Sequence, residues 1–232
     1  SYRKVWQTWE HFGAVIVPLM KEAGISVDGT VRHARVPDSV AAAEPLVSFP
    51  SQPLSDFVSM MFKYSNNFVS EMLFKSIAAY HDTTAAGSWA RASRIVGEWW
   101  HARNLPDTIS IQNGSGMGTA NRLSPGQTVA LLRYVWGRKE YMPDYLSALS
   151  TAGIDGTLAD RFTESPLRGL VRAKTGTLND NGVSNLAGYL FAGEHVYVFA
   201  LFFNGAGSAA YRHWIVQEAL LNDVYVYLHA DT

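Results

Sequence analysis

Apolar residues recur at helical spacing over residues 4–23, where Val5, Trp9, Phe12, Ile16, Leu19 and Met20 share one face. Gly24 supplies a stop, and Pro18 a kink. Loose alternation over residues 25–36, around Asp28-Gly29, predicts a small hairpin. Residues 37–45 read as a loop and residues 46–49 as a short strand. Residues 53–80 then carry two helices. Leu54, Phe57, Val58, Met61 and Phe62 line the first; Phe68, Met72, Leu73 and Ile77 line the second. Between them Tyr64-Ser65-Asn66-Asn67 breaks the pattern, because small polar side chains favour caps and turns over helix interiors. Another helix is predicted over residues 85–103, with Trp89, Ala92, Ile95, Val96 and Trp99 facing inward.

Residues 108–112 read as a short strand and Asn113-Gly114-Ser115-Gly116 as a turn. Ser124, Pro125 and Gln127 form a capping box that opens a helix reaching about Trp136. Residues 151–157 are a glycine-punctuated loop. The last third changes texture. Residues 170–177, 184–192 and 195–203 are rich in Val, Leu, Phe and Tyr and alternate as strands do. The connections at Asn179 to Gly182 and at Gly193-Glu194 are short enough to make these strands antiparallel neighbours. An amphipathic helix over residues 209–228 closes the chain. The pattern predicts an α/β fold of the α+β type, a mostly antiparallel sheet flanked by helices.

Composition narrows the function classes. A net charge of −1 offers no basic footprint for nucleic acid. Cysteine is absent, which removes disulfides, thiolate metal sites and a cysteine nucleophile. The seven His are isolated along the chain and form no ligand motif, so no metal is expected. No phosphate-binding glycine loop appears, and no cofactor is expected. No apolar run approaches the roughly 20 residues of a membrane span.

Two short strings could carry chemistry. Lys174-Thr175-Gly176-Thr177 ends a strand-like run. A lysine there can present its ammonium to a carboxylate, the threonines add hydroxyls, and Gly176 permits close approach to the backbone. A strand-to-turn tripeptide of this kind also arises by chance. Ser65-Asn66-Asn67 fits S-x-N, and a helix break can aim a hydroxyl and an amide into a cleft. The same residues also read as an ordinary helix cap. Ser115 lacks the surroundings of a nucleophile elbow and reads as loop.

S-x-N followed by K-T-G is two thirds of a motif set found in serine β-lactamases and penicillin-binding proteins, whose third member, S-x-x-K, supplies the nucleophile. The segments around the motifs resemble the class C low-molecular-mass penicillin-binding proteins, the D-alanyl-D-alanine carboxypeptidase/endopeptidases. The resemblance runs through the helix and turn near Ala23-Gly24-Ile25, the stretch from Lys63 to Leu73, the loop Asn113-Gly114-Ser115-Gly116, and Asn121-Arg122-Leu123-Ser124-Pro125. It continues through Gly153-Ile154-Asp155-Gly156-Thr157-Leu158 with Arg161, the run from Val171 to Leu178, and Asn185-Leu186-Ala187-Gly188-Tyr189. It covers nearly the whole chain. Asn113 departs from the family's usual Asp.

The resemblance implies a serine-type acyl transfer on peptidoglycan stem peptides ending in D-Ala-D-Ala, with β-lactams as mimics. It assigns Ser65 to proton relay, Asn67 to a substrate amide, and Lys174 to the electrostatics of the site and the terminal carboxylate. Thr175 and Thr177 would bind that carboxylate, and backbone N–H groups near Thr177, beside Gly176, would help form an oxyanion hole. It implies a periplasmic or cell-envelope location. The family's S-x-x-K precedes large insertions, so residues 1–232 read as the C-terminal part of one penicillin-recognising domain, with the nucleophile on an upstream segment. The string Ser1-Tyr2-Arg3-Lys4 reads as a chance match. The alternative is a catalytically inactive homologue that binds peptidoglycan without cutting it.

Overall fold

The computed structural model describes residues 7–45, 47–205 and 212–229. The string at Ser1 to Lys4 lies outside them. The chain divides into two compact units between Ser51 and Gln52.

In the first unit, helix α1 spans Thr8–Glu22, with Pro18 inside it, and α2 spans Asp38–Ala41, within the expected loop. The periodicity predicted α1, but its apolar face stays largely exposed, with Phe12 at 67%. The hairpin expected over residues 25–36 does not form. Ile25, Val27, Val31 and Val36 are all exposed, and an isolated two-stranded ribbon without a face to bury is marginal in water. The strand expected at 46–49 is also absent at Val47, Ser48 and Phe49; Leu46 is outside the described residues.

The second unit contains α3 (Leu54–Tyr64), α4 (Asn67–His81), α5 (Trp89–His101), α6 (Pro125–Trp136) and α7 (Met142–Ala148). Strands β1 (Ser150–Thr151), β2 (Val171–Leu178), β3 (Val183–Ala192) and β4 (His195–Phe203) follow, and α8 spans Arg212–His229. The strands form one antiparallel sheet in the order β1-β2-β3-β4. Ala192 pairs with His195 across Gly193-Glu194, so the predicted tight turn is present.

Both faces of the sheet are covered. On one, Val171, Ala173, Leu186 and Leu190 pack with Leu158, Phe162, Leu167 and Leu221 of α8. On the other, Tyr189 packs with Leu132 and Val135 of α6, Met142 of α7 and Leu149. A side chain such as Leu186 or Leu190, essentially free of solvent, contributes about 1.5–3 kcal/mol relative to exposure. Arg161 ties α8 down through Glu218 at 2.8 Å and Gln217 at 3.1 Å.

Several expectations need correction. Helix α5 begins at Trp89, because Ser88 caps it by accepting the Arg91 N–H. Its buried face is Ala92, Ile95 and Trp100, with the Trp100 indole donating to the carbonyls of Pro106 and Asp107. Trp89 is 49% exposed, and Trp99 is half-buried, edge-on to Tyr134. The strand expected over residues 108–112 reduces to one bridge between Ser110 and Arg122. The short helix α7 has no counterpart in the periodicity reading, and residues 151–157 include the end of β1 and the start of a 3-10 turn, Gly156–Leu158. The capping box of α6 is present as predicted. Among the described residues no helix is long and apolar enough to cross a membrane.

Candidate active site

The break between α3 and α4 is a conformational event as well as a cap. Ser65 ends α3 in the left-handed region, φ 51° and ψ 47°, a placement that costs a non-glycine residue about 1–2 kcal/mol. Asn66 then caps α4, its Oδ1 accepting the Val69 N–H at 3.1 Å. The cap reading therefore holds for Asn66. Ser65 and Asn67 flank it, are both exposed, and line the same cleft. Strained backbone at the mouth of a cleft is a recurrent feature of functional sites.

Strand β2 forms the opposite wall. Its ladder with β3 pairs Lys174 with Ala187 and Gly176 with Asn185. On the other side β1 reaches only Arg172 and Ala173. Among the described residues no strand pairs with the β2 edge beyond that point, so Lys174 to Thr177 border the cleft. Lys174 Nζ donates to Ser65 Oγ at 2.8 Å and to the Thr175 carbonyl at 2.7 Å. Burial pulls the Lys174 ammonium down to about 8, since a desolvated cation loses hydration that these neutral acceptors replace only in part. Thr175 Oγ1 donates to Thr157 Oγ1 at 2.8 Å, while Thr177 is exposed. The cleft encloses about 690 Å³, and all six motif residues, Ser65, Asn67, Lys174, Thr175, Gly176 and Thr177, line it.

A third wall is the loop from Asn113 to Gly116. The Glu71 carboxylate gathers it in, accepting from the Ser115 hydroxyl, from the Ser115 and Gly114 N–H groups and from the Trp89 indole. Partial burial pushes the Glu71 carboxyl up, but these hydrogen bonds outweigh it and hold the group below its ordinary range. The Ser115 hydroxyl is thus engaged with Glu71, in keeping with its reading as loop. Asn113 closes the loop on itself: Oδ1 accepts the Gly116 N–H at 2.8 Å and Nδ2 donates to the Met117 carbonyl at 3.1 Å. An aspartate could not make the second bond.

A fourth group belongs to neither motif. Lys63, near the end of α3, donates to the Leu149 carbonyl at 2.6 Å and to both Asp155 carboxylate oxygens at 2.8 and 2.7 Å. Burial pushes the Asp155 carboxyl up, yet the bonds from Lys63 and the Thr151 N–H bring it below its ordinary value. Both residues fall within segments that carry the family resemblance. No local string marks them as partners, because 92 positions separate them.

The family model for the D-Ala-D-Ala carboxypeptidase 3 (S13) family matches residues 1–223. A D-alanyl-D-alanine carboxypeptidase of Actinomadura sp. is 31% identical over 85% of this chain and 37% of its own length. The D-alanyl-D-alanine carboxypeptidase DacB of Haemophilus influenzae is 29% identical over 96% of this chain and 47% of its own length. The crystal structure of penicillin-binding protein 4 (dacB) from Haemophilus influenzae, complexed with a novel β-lactam, superposes with a TM-score of 0.82. It is 26% identical and covers 96% of this chain and 52% of that one. The chain therefore spans less than half the length of these two curated relatives.

Proposed function

The chain belongs to the D-Ala-D-Ala carboxypeptidase 3 (S13) family, and from that membership we propose that it supplies the S-x-N and K-T-G walls of a serine-type D-Ala-D-Ala carboxypeptidase/endopeptidase. The substrate is a peptidoglycan stem peptide ending in D-Ala-D-Ala, and β-lactams acylate the same site. The nucleophile is the serine of an S-x-x-K segment upstream of this region, and residues 1–232 are the C-terminal part of one penicillin-recognising domain. The setting is the cell envelope, where peptidoglycan is found.

The serine oxygen attacks the penultimate D-Ala carbonyl, the amide C–N bond breaks, and an acyl-enzyme forms that water later hydrolyses. The leaving amine needs a proton. Lys174 donates its own hydrogen bond to Ser65 Oγ, which leaves the Ser65 hydroxyl proton free to face the leaving nitrogen while Lys174 supports the charge. Asn67 holds a substrate amide. Thr175 points its proton at Thr157, so the terminal carboxylate is received by Lys174 and Thr177, with Thr175 orienting the strand end. The unpaired β2 edge near Gly176 and Thr177 offers backbone N–H groups to a developing oxyanion.

The observation that carries this reading is the 2.8 Å contact between Lys174 and Ser65, which joins the two motifs inside one cleft. The test is D-alanine release from a pentapeptide ending in D-Ala-D-Ala by the full-length protein. We expect release, and a loss of about 10²–10⁴ in rate for Lys174→Ala. Peptide binding without release would instead favour the inactive, peptidoglycan-binding homologue.

A further inference from the structure

Ser65 and Lys174 touch, yet they stand on elements that no backbone ladder joins. Helix α3 packs on α7 and on the Gly156–Leu158 turn, and β2 belongs to the sheet. Something must hold the end of α3 against β2 closely enough for a 2.8 Å contact.

We propose that the Lys63–Asp155 ion pair, acting through Thr157, is the positioning device that sets the distance between Ser65 and Lys174. The inference rests on the acyl-transfer reading for its chemical consequence, but not for its geometry.

Lys63 lies two residues before Ser65. Its ammonium has three donors, and three acceptors take them: the Leu149 carbonyl and the two oxygens of Asp155. The Lys63 side chain is only 16% exposed, although that of Asp155 is 41% exposed, so losing the carboxylate leaves a mostly buried ammonium short of acceptors. Asp155 is itself fixed, because Oδ1 also accepts the Thr151 N–H at 2.7 Å.

The next residue, Gly156, is left-handed at φ +58°. A Cβ there would fall 2.3 Å from Ser150 Oγ and 2.9 Å from the Lys63 carbonyl oxygen. The last turn of α3 therefore sits directly on this backbone. Thr157 follows. Its N–H donates to Ser150 Oγ at 3.1 Å, and its hydroxyl accepts from Thr175 at 2.8 Å. Thr175 adjoins Lys174, and Lys174 reaches back to Ser65.

Three side-chain contacts, Lys63 to Asp155, Thr175 to Thr157 and Lys174 to Ser65, close a ring with the short backbone stretches 155–157, 174–175 and 63–65. If this ring opens, the α3 end is free to shift, Ser65 leaves Lys174, and the proton path lengthens. A misplacement of about 1 Å costs up to roughly 10²-fold in rate.

The test uses the full-length protein with Asp155→Asn, which is nearly isosteric and keeps an acceptor for the Thr151 N–H. Lys63→Arg preserves the charge pair and serves as the conservative control. Thr157→Val removes the last link without touching the pair, and it carries the test if Asp155→Asn does not fold. Three quantities are read for each variant: the second-order rate of acylation by benzylpenicillin, the titration of the Lys174 ammonium by NMR, and the thermal midpoint. We expect Asp155→Asn and Thr157→Val to lower acylation by about tenfold or more. We also expect Lys174 to titrate above its value in the unaltered protein, as water reaches it, with Lys63→Arg, which keeps the charge pair, retaining most of both. A lowered melt with acylation and Lys174 titration unchanged would overturn the proposal and leave the pair as a strut. If the unaltered protein is not acylated at all, the functional reading fails, and the Lys174 titration still decides whether the ring sets that contact.

Discussion

Strand β2 and the α3–α4 junction meet at one contact, but they are held there differently. Lys174 to Thr177 lie in a strand whose ladder to β3 runs unbroken from Val171 to Leu178, with Val171 and Ala173 of the same strand fully buried. Ser65 to Asn67 have no ladder. They are exposed or half-exposed, one residue is left-handed, and their fixed points are a cap and the reach of Lys63. The sheet half is placed by periodic hydrogen bonding and burial, which tolerate side-chain changes on the cleft side. The helix half is placed by individual side chains, where one substitution removes a whole constraint.

The largest way to sharpen that contrast is Ser65→Gly. Glycine carries no penalty in the left-handed region, so stability should hold or rise by up to about 1 kcal/mol in urea unfolding. The same change deletes the hydroxyl proposed as the proton relay and should lower D-alanine release by about 10². Activity and stability then move in opposite directions, as expected where strain serves function.

Gly188→Ala should break the other half. A Cβ there would fall 2.1 Å from the Arg172 carbonyl oxygen and 2.6 Å from Ala173 Cα. Those are backbone atoms of β2 and cannot swing aside. We expect a loss of about 1–3 kcal/mol in urea unfolding, with activity falling because Lys174 loses its frame.

The third prediction is a pH dependence. Lys174 has its ammonium lowered to about 8 from 10.5. Because the folded value is depressed, the cation is present below about pH 8 and disappears as pH rises through it. KM for a substrate with a free terminal carboxylate should therefore rise by about tenfold between pH 7 and 9, following the charged fraction of Lys174. An amidated substrate should not show that rise. The linked stability runs the other way. The native state releases this proton before the unfolded chain does, so the contribution of Lys174 to stability increases from about pH 8 toward 10.5.

The smallest effect is expected for Asn113→Asp. It costs the hydrogen bond to the Met117 carbonyl and keeps the acceptor for the Gly116 N–H. We expect about 1 kcal/mol or less in the melt and little change in turnover, which would show that this loop acts through its shape.

The sheet half was legible in the sequence, and the helix half only in part. Strands β2, β3 and β4 announce themselves because a two-sided core demands long apolar runs, as at Leu186, Tyr189 and Leu190. Lys174-Thr175-Gly176 and Ser65-Asn66-Asn67 are readable as local strings. The hairpin expected around Asp28-Gly29 does not form, because alternation means little without a face to bury it. Trp89 lies at the exposed start of α5, one residue after the Ser88 cap, and the buried indole of Trp100, not Trp89, carries the core side, which periodicity alone does not reveal. Lys63 and Asp155 stayed hidden for a simpler reason: a charge pair closing a ring across 92 positions leaves no local pattern.

The most direct measurement is to treat the full-length protein with fluorescent penicillin and locate the adduct by intact mass and peptide mapping. We predict one adduct, on the serine of an S-x-x-K segment upstream of this region, abolished or strongly slowed by Lys174→Ala. An adduct on Ser1, Ser65 or Ser115, or labelling at full rate in Lys174→Ala, would contradict the assignment of this cleft as the proton-relay and carboxylate-binding half of the site.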